Sequence, residues 1–203
     1  MMRNTHLTIG IASAIAITNP KTVTESLTAI IGGVIGGLIC DIDLLDHGYK
    51  NKKFFERFIA VKLTTIILFI DLVFQFGICE FILNRDRILL MIGGIVFTIV
   101  SFIGIKSPHR TFTHSFLGLL LFSLAFWFVY PPMVFAFAIG FLSHMLLDSF
   151  NKKKIRLFYP KEFGFCLGFC YADGAINKFL FYIGMIIMGV LLLNCLVFQN
   201  YFV

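Results

Sequence analysis

Residues 140–150 read GFLSHMLLDSF and carry His144 and Asp148 four positions apart within an apolar run. On an α-helix that spacing stacks both side chains on one face, so an imidazole and a carboxylate address the same point. The same residue types recur at other breaks in the apolar pattern. His6 precedes the first run, Asp41, Asp43 and His47 follow the second, and His109, Arg110 and His114 stand at the head of the fifth. Imidazole nitrogen and carboxylate oxygen suit Zn²⁺ or a similar divalent ion, and a His/Asp pair at this spacing can serve one ion or bridge two. Burying such groups without a partner costs on the order of several kcal/mol. A metal would supply the partner; for any one residue alone, a capping or interfacial role is the simpler reading.

The elements that must position these groups are membrane spans. The 203 residues are 59% hydrophobic and 14% charged, with a mean hydropathy of +0.92, against about 25% charged residues in an ordinary soluble domain. Apolar runs near 7–19, 23–40, 59–83, 88–106, 114–130, 133–150 and 179–199 predict an all-α, polytopic bundle of about six to seven helices, a single integral membrane domain over residues 1–203. They lack the alternation of a barrel strand. The first run is short, ends at Asn19-Pro20 and has the outline of a signal peptide. No small-residue cleavage site follows it, so the N-terminus is expected to be retained.

Sorting basic residues by side makes one face rich: Arg3, Lys50, Lys52, Lys53, Arg57, Lys106, Arg110, Lys152, Lys153, Lys154, Arg156, Lys161 and Lys178, against Lys21, Arg85 and Arg87 on the other. The positive-inside rule makes the rich face cytoplasmic. All five histidines and Asp41, Asp43 and Asp148 fall at or near it. The net charge of +6 therefore reports topology, and no nucleic-acid partner is expected. The DIDLLDHG stretch lacks the offsets of a calcium loop, and no H-E-x-x-H, P-loop or G-x-S-x-G is present. Five cysteines cannot all pair internally; Cys166 and Cys170, four apart, are a weak ligand pair. The GGVIGG stretch, with Gly32, Gly33, Gly36 and Gly37, reads as a close helix-packing surface.

His6-Leu7, Asp41-Ile42-Asp43, the block HRTFTHS from His109 to Ser115, and GFLSHMLLDSF followed by Leu157-Phe158-Tyr159-Pro160 carry a resemblance. The chain resembles the bacterial membrane-bound metal-dependent hydrolases, the YdjM-like group of LexA-regulated inner-membrane proteins. The order His, Asp, His, His-x-x-x-Asp also looks like the ligand order of zinc-dependent phospholipase C. That likeness implies a centre held by His6, Asp41, His114 or His109, His144 and Asp148, with zinc as the expected ion. The chain departs from the family pattern at Cys40 and at Asn151-Lys152-Lys153-Lys154. Asn177 stands where the family carries a glutamate, and Asp173 is near enough in sequence to substitute.

Together with the residue pattern, the resemblance implies a hydrolase in the bacterial inner membrane, expected to work on a phosphoester or phospholipid at the cytoplasmic face. Asp43 is the candidate for orienting or deprotonating a water, and Arg110 for holding a phosphate oxygen through its planar fork. Lys152 to Lys154 would draw anionic headgroups or serve as topology signals alone. The rival reading is a metal- or proton-coupled transporter, for which Asp71 within residues 59–83 is the notable ionisable group. A third is a metal-stabilised scaffold without activity.

Overall fold

The computed structural model describes residues 2–45, 59–171 and 174–200; His47, the basic residues from Lys50 to Arg57, and Asp173 lie outside them. Among the described residues there are eight α-helices, and no strand beyond two isolated bridges. They are α1 (Arg3–Thr18), α2 (Val23–Ile39), α3 (Ile59–Phe74), α4 (Ile78–Leu83), α5 (Arg87–Lys106), α6 (Phe116–Val129), α7 (Val134–Ser149) and α8 (Ala175–Asn200). Short 3₁₀ turns at Cys40–Leu45, Phe112–His114 and Pro131–Met133 adjoin α2, α6 and α7. Four stretches are long and apolar enough to cross a membrane: Val23–Leu44, Arg87–Lys106, Pro131–Ser149 and Ala175–Cys195.

Local chemistry sets the helix ends. Thr22 accepts the Glu25 N–H at the start of α2 while Glu25 reaches back to the Lys21 N–H, a close variant of a capping box. Ser115 accepts the Gly118 N–H and Asp86 the Ile88 N–H, so α6 and α5 also start on an oxygen cap. Helix α1 closes at Asn19, whose φ of 46° is left-handed, just before Pro20. Its 16 residues span only about 24 Å, short of the roughly 30 Å hydrocarbon core.

Helices α1, α2 and α7 form the interior. Two of the four spans, Val23–Leu44 and Pro131–Ser149, are 67% buried, whereas Arg87–Lys106 is 17% and Ala175–Cys195 11% buried. The outer helices thus turn Ile, Leu, Phe and Met side chains outward, as spans facing lipid must. The inner helices approach closely because α2 offers no side chain at the contact: a methyl built on Gly36 would stand 2.7 Å from the Phe141 nitrogen.

The expected single span over 59–83 is two helices. The chain breaks at Gln75-Phe76-Gly77, where Gln75 and Gly77 take left-handed φ of 55° and 104°. Asp71 accepts the backbone N–H groups of Ile78 (3.0 Å) and Cys79 (2.7 Å), and Thr24 donates to the Phe76 carbonyl (2.6 Å). The acid expected to mark a transport path is therefore a buried cap that satisfies the orphan donors of α4. It lies at the Thr24 end of α2, away from Cys40–Leu45.

Candidate metal centre

The chain reverses direction at each span, so the start of α1 and the ends of α2 and α7 meet at one end of the bundle. The segment joining α5 to α6 closes over them. This brings His6, Asp41, Asp43, His109, His114, His144 and Asp148 into three overlapping groups: His6–His144–Asp148, Asp41–His114–His144, and Asp43–His109–His114. In each, one ligand atom per residue lies within 4.8 Å of the others. Because His144 and His114 belong to two groups each, the three form one continuous cluster. His6, Asp43, His114, His144 and Asp148 are each at most 1% exposed; Asp41 and His109 are partly open.

The tautomers follow from the surrounding bonds. His144 Nδ1 lies 2.8 Å from the Gly37 carbonyl, which can only accept, so Nδ1 carries the proton and Nε2 is left as a lone pair. Thr113 donates its hydroxyl proton to Asp43 Oδ2 at 2.7 Å. The same hydroxyl oxygen, 3.1 Å from His114 Nδ1, then accepts from that nitrogen, and His114 Nε2 too is a lone pair. These two lone-pair nitrogens face one another at 3.3 Å. Asp148 Oδ2 lies 3.4 Å from His114 Nε2 and 4.0 Å from His144 Nε2, and Asp41 Oδ1 lies 3.8 Å from His144 Nε2.

These acceptors repel one another; the Arg110 guanidinium, 3.1 Å from Asp148 Oδ2, offsets part of that repulsion, and a bound cation would offset the rest. A tetrahedral ion with bonds of about 2.0–2.1 Å sets neighbouring ligand atoms about 3.3–3.4 Å apart; the His114–His144 and His114–Asp148 spacings match this, and the two others, 3.8 and 4.0 Å, are longer. The donor set suits a divalent ion held by His114 and His144 with a carboxylate from Asp41 or Asp148. His6 adds a further imidazole, its Nε2 3.3 Å from Asp148 Oδ1 and its ring stacked on His144 at 3.7 Å. The Gly37 carbonyl and the Thr113–Asp43 pair are the outer partners that fix ring orientation and raise basicity at such centres.

Asp43, the candidate for orienting a water, is buried and accepts from His109 Nδ1 (2.8 Å), the Arg110 N–H (3.2 Å) and Thr113. The Arg110 fork, the candidate for holding a phosphate oxygen, binds Asp148 Oδ2 at 3.1 Å and the Lys153 carbonyl at 2.8 Å. Arg110 itself adopts a left-handed φ of 68°, which turns its side chain back into the bundle. Both His109 and His114 belong to candidate groups: His114 is central and buried, and His109 stands at the open edge on Asp43, its Nε2 accepting from Arg110 Nε at 3.4 Å.

Thr113 and the carbonyls of Gly37 and Lys153 are partners that the sequence does not announce. Thr113 sits beside His114 in HRTFTHS and carries a visible hydroxyl; a backbone carbonyl carries no sequence signal. Asn177 is buried and its side-chain oxygen accepts the Met2 N–H at 3.2 Å, so it pins the start of α1. Cys166 and Cys170 are free thiols outside the three groups, and Cys170 donates to the Phe150 carbonyl.

Fold and site together define a polytopic helical membrane protein with a buried His/Asp centre suited to a metal ion. A family model described as YdjM inner membrane protein matches residues 1–202, and the chain belongs to that family. No curated protein and no solved structure matches it.

Proposed function

We propose that the chain is a membrane-bound, metal-dependent hydrolase that cleaves a phosphoester of a lipid-type substrate at the cytoplasmic face of the bacterial inner membrane. The observation that carries this reading is the pair of lone-pair nitrogens, His114 Nε2 and His144 Nε2, facing each other beside Asp148. Zinc matches this nitrogen and oxygen set. When bound, such an ion acidifies a water and polarises the bond under attack.

The protein's own groups supply the rest. His109 is the acid–base residue: Asp43 holds its Nδ1–H, and Nε2, at the open edge of the cluster, exchanges its long 3.4 Å contact with Arg110 Nε for a water whose proton it takes and returns to the leaving oxygen. Asp43 thus acts through His109 as a positioning residue. Arg110 positions Asp148 and offsets its charge. Beside Asp41 runs a cavity of about 420 Å³ walled by apolar side chains that include Ile35, Ile39, Phe97 and Phe126, with Arg3 at its lining. That volume is within the range of about 300–1,000 Å³ of small-molecule sites. Its apolar wall suits a hydrocarbon tail whose headgroup reaches Asp41.

A transport path would need polar groups through the full depth. Here the described histidines and the acids Asp41, Asp43 and Asp148 gather at one end, Asp71 caps backbone donors, and clusters around Phe137, Phe141 and Val34 lie between that end and the other. Elemental analysis of purified protein should show a divalent ion that His144→Ala and Asp148→Ala lose. Release of a phosphorylated headgroup from bacterial lipids should stop in His109→Gln with the ion retained. Failure of the wild type to hold any divalent ion would sink the reading, and metal uptake into vesicles without hydrolysis would replace it with transport.

A further inference from the structure

The segment between α7 and α8 has a two-residue period that the metal centre does not use. From Phe163 to Tyr171 every second residue is large and apolar: Phe163, Phe165, Leu167, Phe169 and Tyr171. All five are between 36% and 69% exposed. The intervening residues are Gly164, Cys166, Gly168 and Cys170, and each is less exposed than its neighbours. This is a largely extended ribbon, interrupted at Gly168, whose φ of 72° is left-handed, with its bulky residues turned outward and Gly164, Cys166 and Cys170 less exposed between them.

Its depth is fixed by backbone bonds. The Leu167 N–H donates to the Ser149 carbonyl and the Cys170 N–H to the Phe150 carbonyl, so the ribbon runs along the last turn of the span Pro131–Ser149. Phe165 pairs in both directions with Ile155. Beside it stand the exposed Lys152, Lys153, Lys154 and Lys161, and the Lys152 ammonium lies 3.8 Å over the Tyr171 ring. Five bulky apolar side chains in a row form a patch that water does not tolerate on a lone surface. Aromatic rings flanked by lysines at the end of a span match the boundary between headgroups and acyl chains.

We propose that residues 163–171 form an interfacial ribbon whose apolar edge seats in the membrane leaflet on the side of the metal centre, with the flanking lysines engaging anionic phospholipid headgroups. The lysines and the ribbon are one recognition surface. It is independent of whether the centre hydrolyses anything.

The test uses the full chain in lipid nanodiscs, with Trp127→Phe removing the one tryptophan and Phe163→Trp or Phe169→Trp as probe. Seating about 5–10 Å into the boundary predicts strong quenching by lipids brominated high on the acyl chain and little by aqueous iodide. Brominated phosphatidylglycerol should quench more than brominated phosphatidylcholine at equal mole fraction, and K152Q/K154Q/K161Q should remove that difference. Quenching by iodide alone would place the ribbon in water and overturn the proposal. Shielding from both quenchers would mean that protein, such as a second copy, covers the ribbon, and would overturn it equally. Equal quenching by the two lipids overturns the headgroup assignment. The two probe positions report separately, so a folding failure in one leaves the other decisive.

Discussion

Gly36→Ala is a sharp test of how packing sets the metal centre, because the residue touches none of the ligands. A methyl at Gly36 would lie 2.7 Å from the Phe141 nitrogen and nearer still to the Phe137 carbonyl oxygen, both backbone atoms of α7. Ordinary heavy-atom contacts sit near 3.5–4.0 Å, so α2 and α7 must part by about 1 Å. Overpacking of this kind costs about 1–3 kcal/mol. The larger effect is on geometry: Gly37 supplies the carbonyl that orients His144, and α2 leads directly into Asp41. Sites of this type require their groups held within about 0.5 Å, and losing an outer partner lowers metal affinity about 10–100-fold. Competition with a chromophoric chelator, alongside thermal unfolding in detergent, would measure both. Gly94→Ala is the control, since a methyl there meets nothing within 4 Å and should improve the helix by about 0.5–1 kcal/mol. If Gly36→Ala binds metal as tightly as wild type, the close approach of α2 and α7 does not set the centre.

Thr113→Val keeps shape but removes the hydroxyl between Asp43 and His114; metal affinity should fall about 10–100-fold, with Thr113→Ser restoring it, as read by the same chelator competition. Asp71→Ala strips the cap from two backbone donors and should lower stability by about 1–3 kcal/mol while bound metal, measured by elemental analysis, stays at the wild-type level.

The span pattern was legible because each apolar run is bounded by charge or proline, and the reversal of direction at each span put the histidines and acids at one end before any contact was known. The break after Phe74 was not, since Gln75-Phe76-Gly77 lacks proline and both flanks are apolar; the turn is made by Asp71 and by Thr24, which is distant in sequence. The pairing of His144 with Asp148 followed from helical spacing. The target of Arg110 did not, because its left-handed backbone reverses the side chain, and the burial of Asp43 depends on three partners from the segment between α5 and α6.

The cluster draws on residue 6 and on residue 148, with contributions from 41 to 43 and from 109 to 114 between them. During synthesis the inner sphere stays incomplete until α7 has left the ribosome and entered the bilayer beside α1 and α2. An ion held there would load only once α7 is in place, and would tie the first of these insertion events to that of α7 in a single cooperative unit.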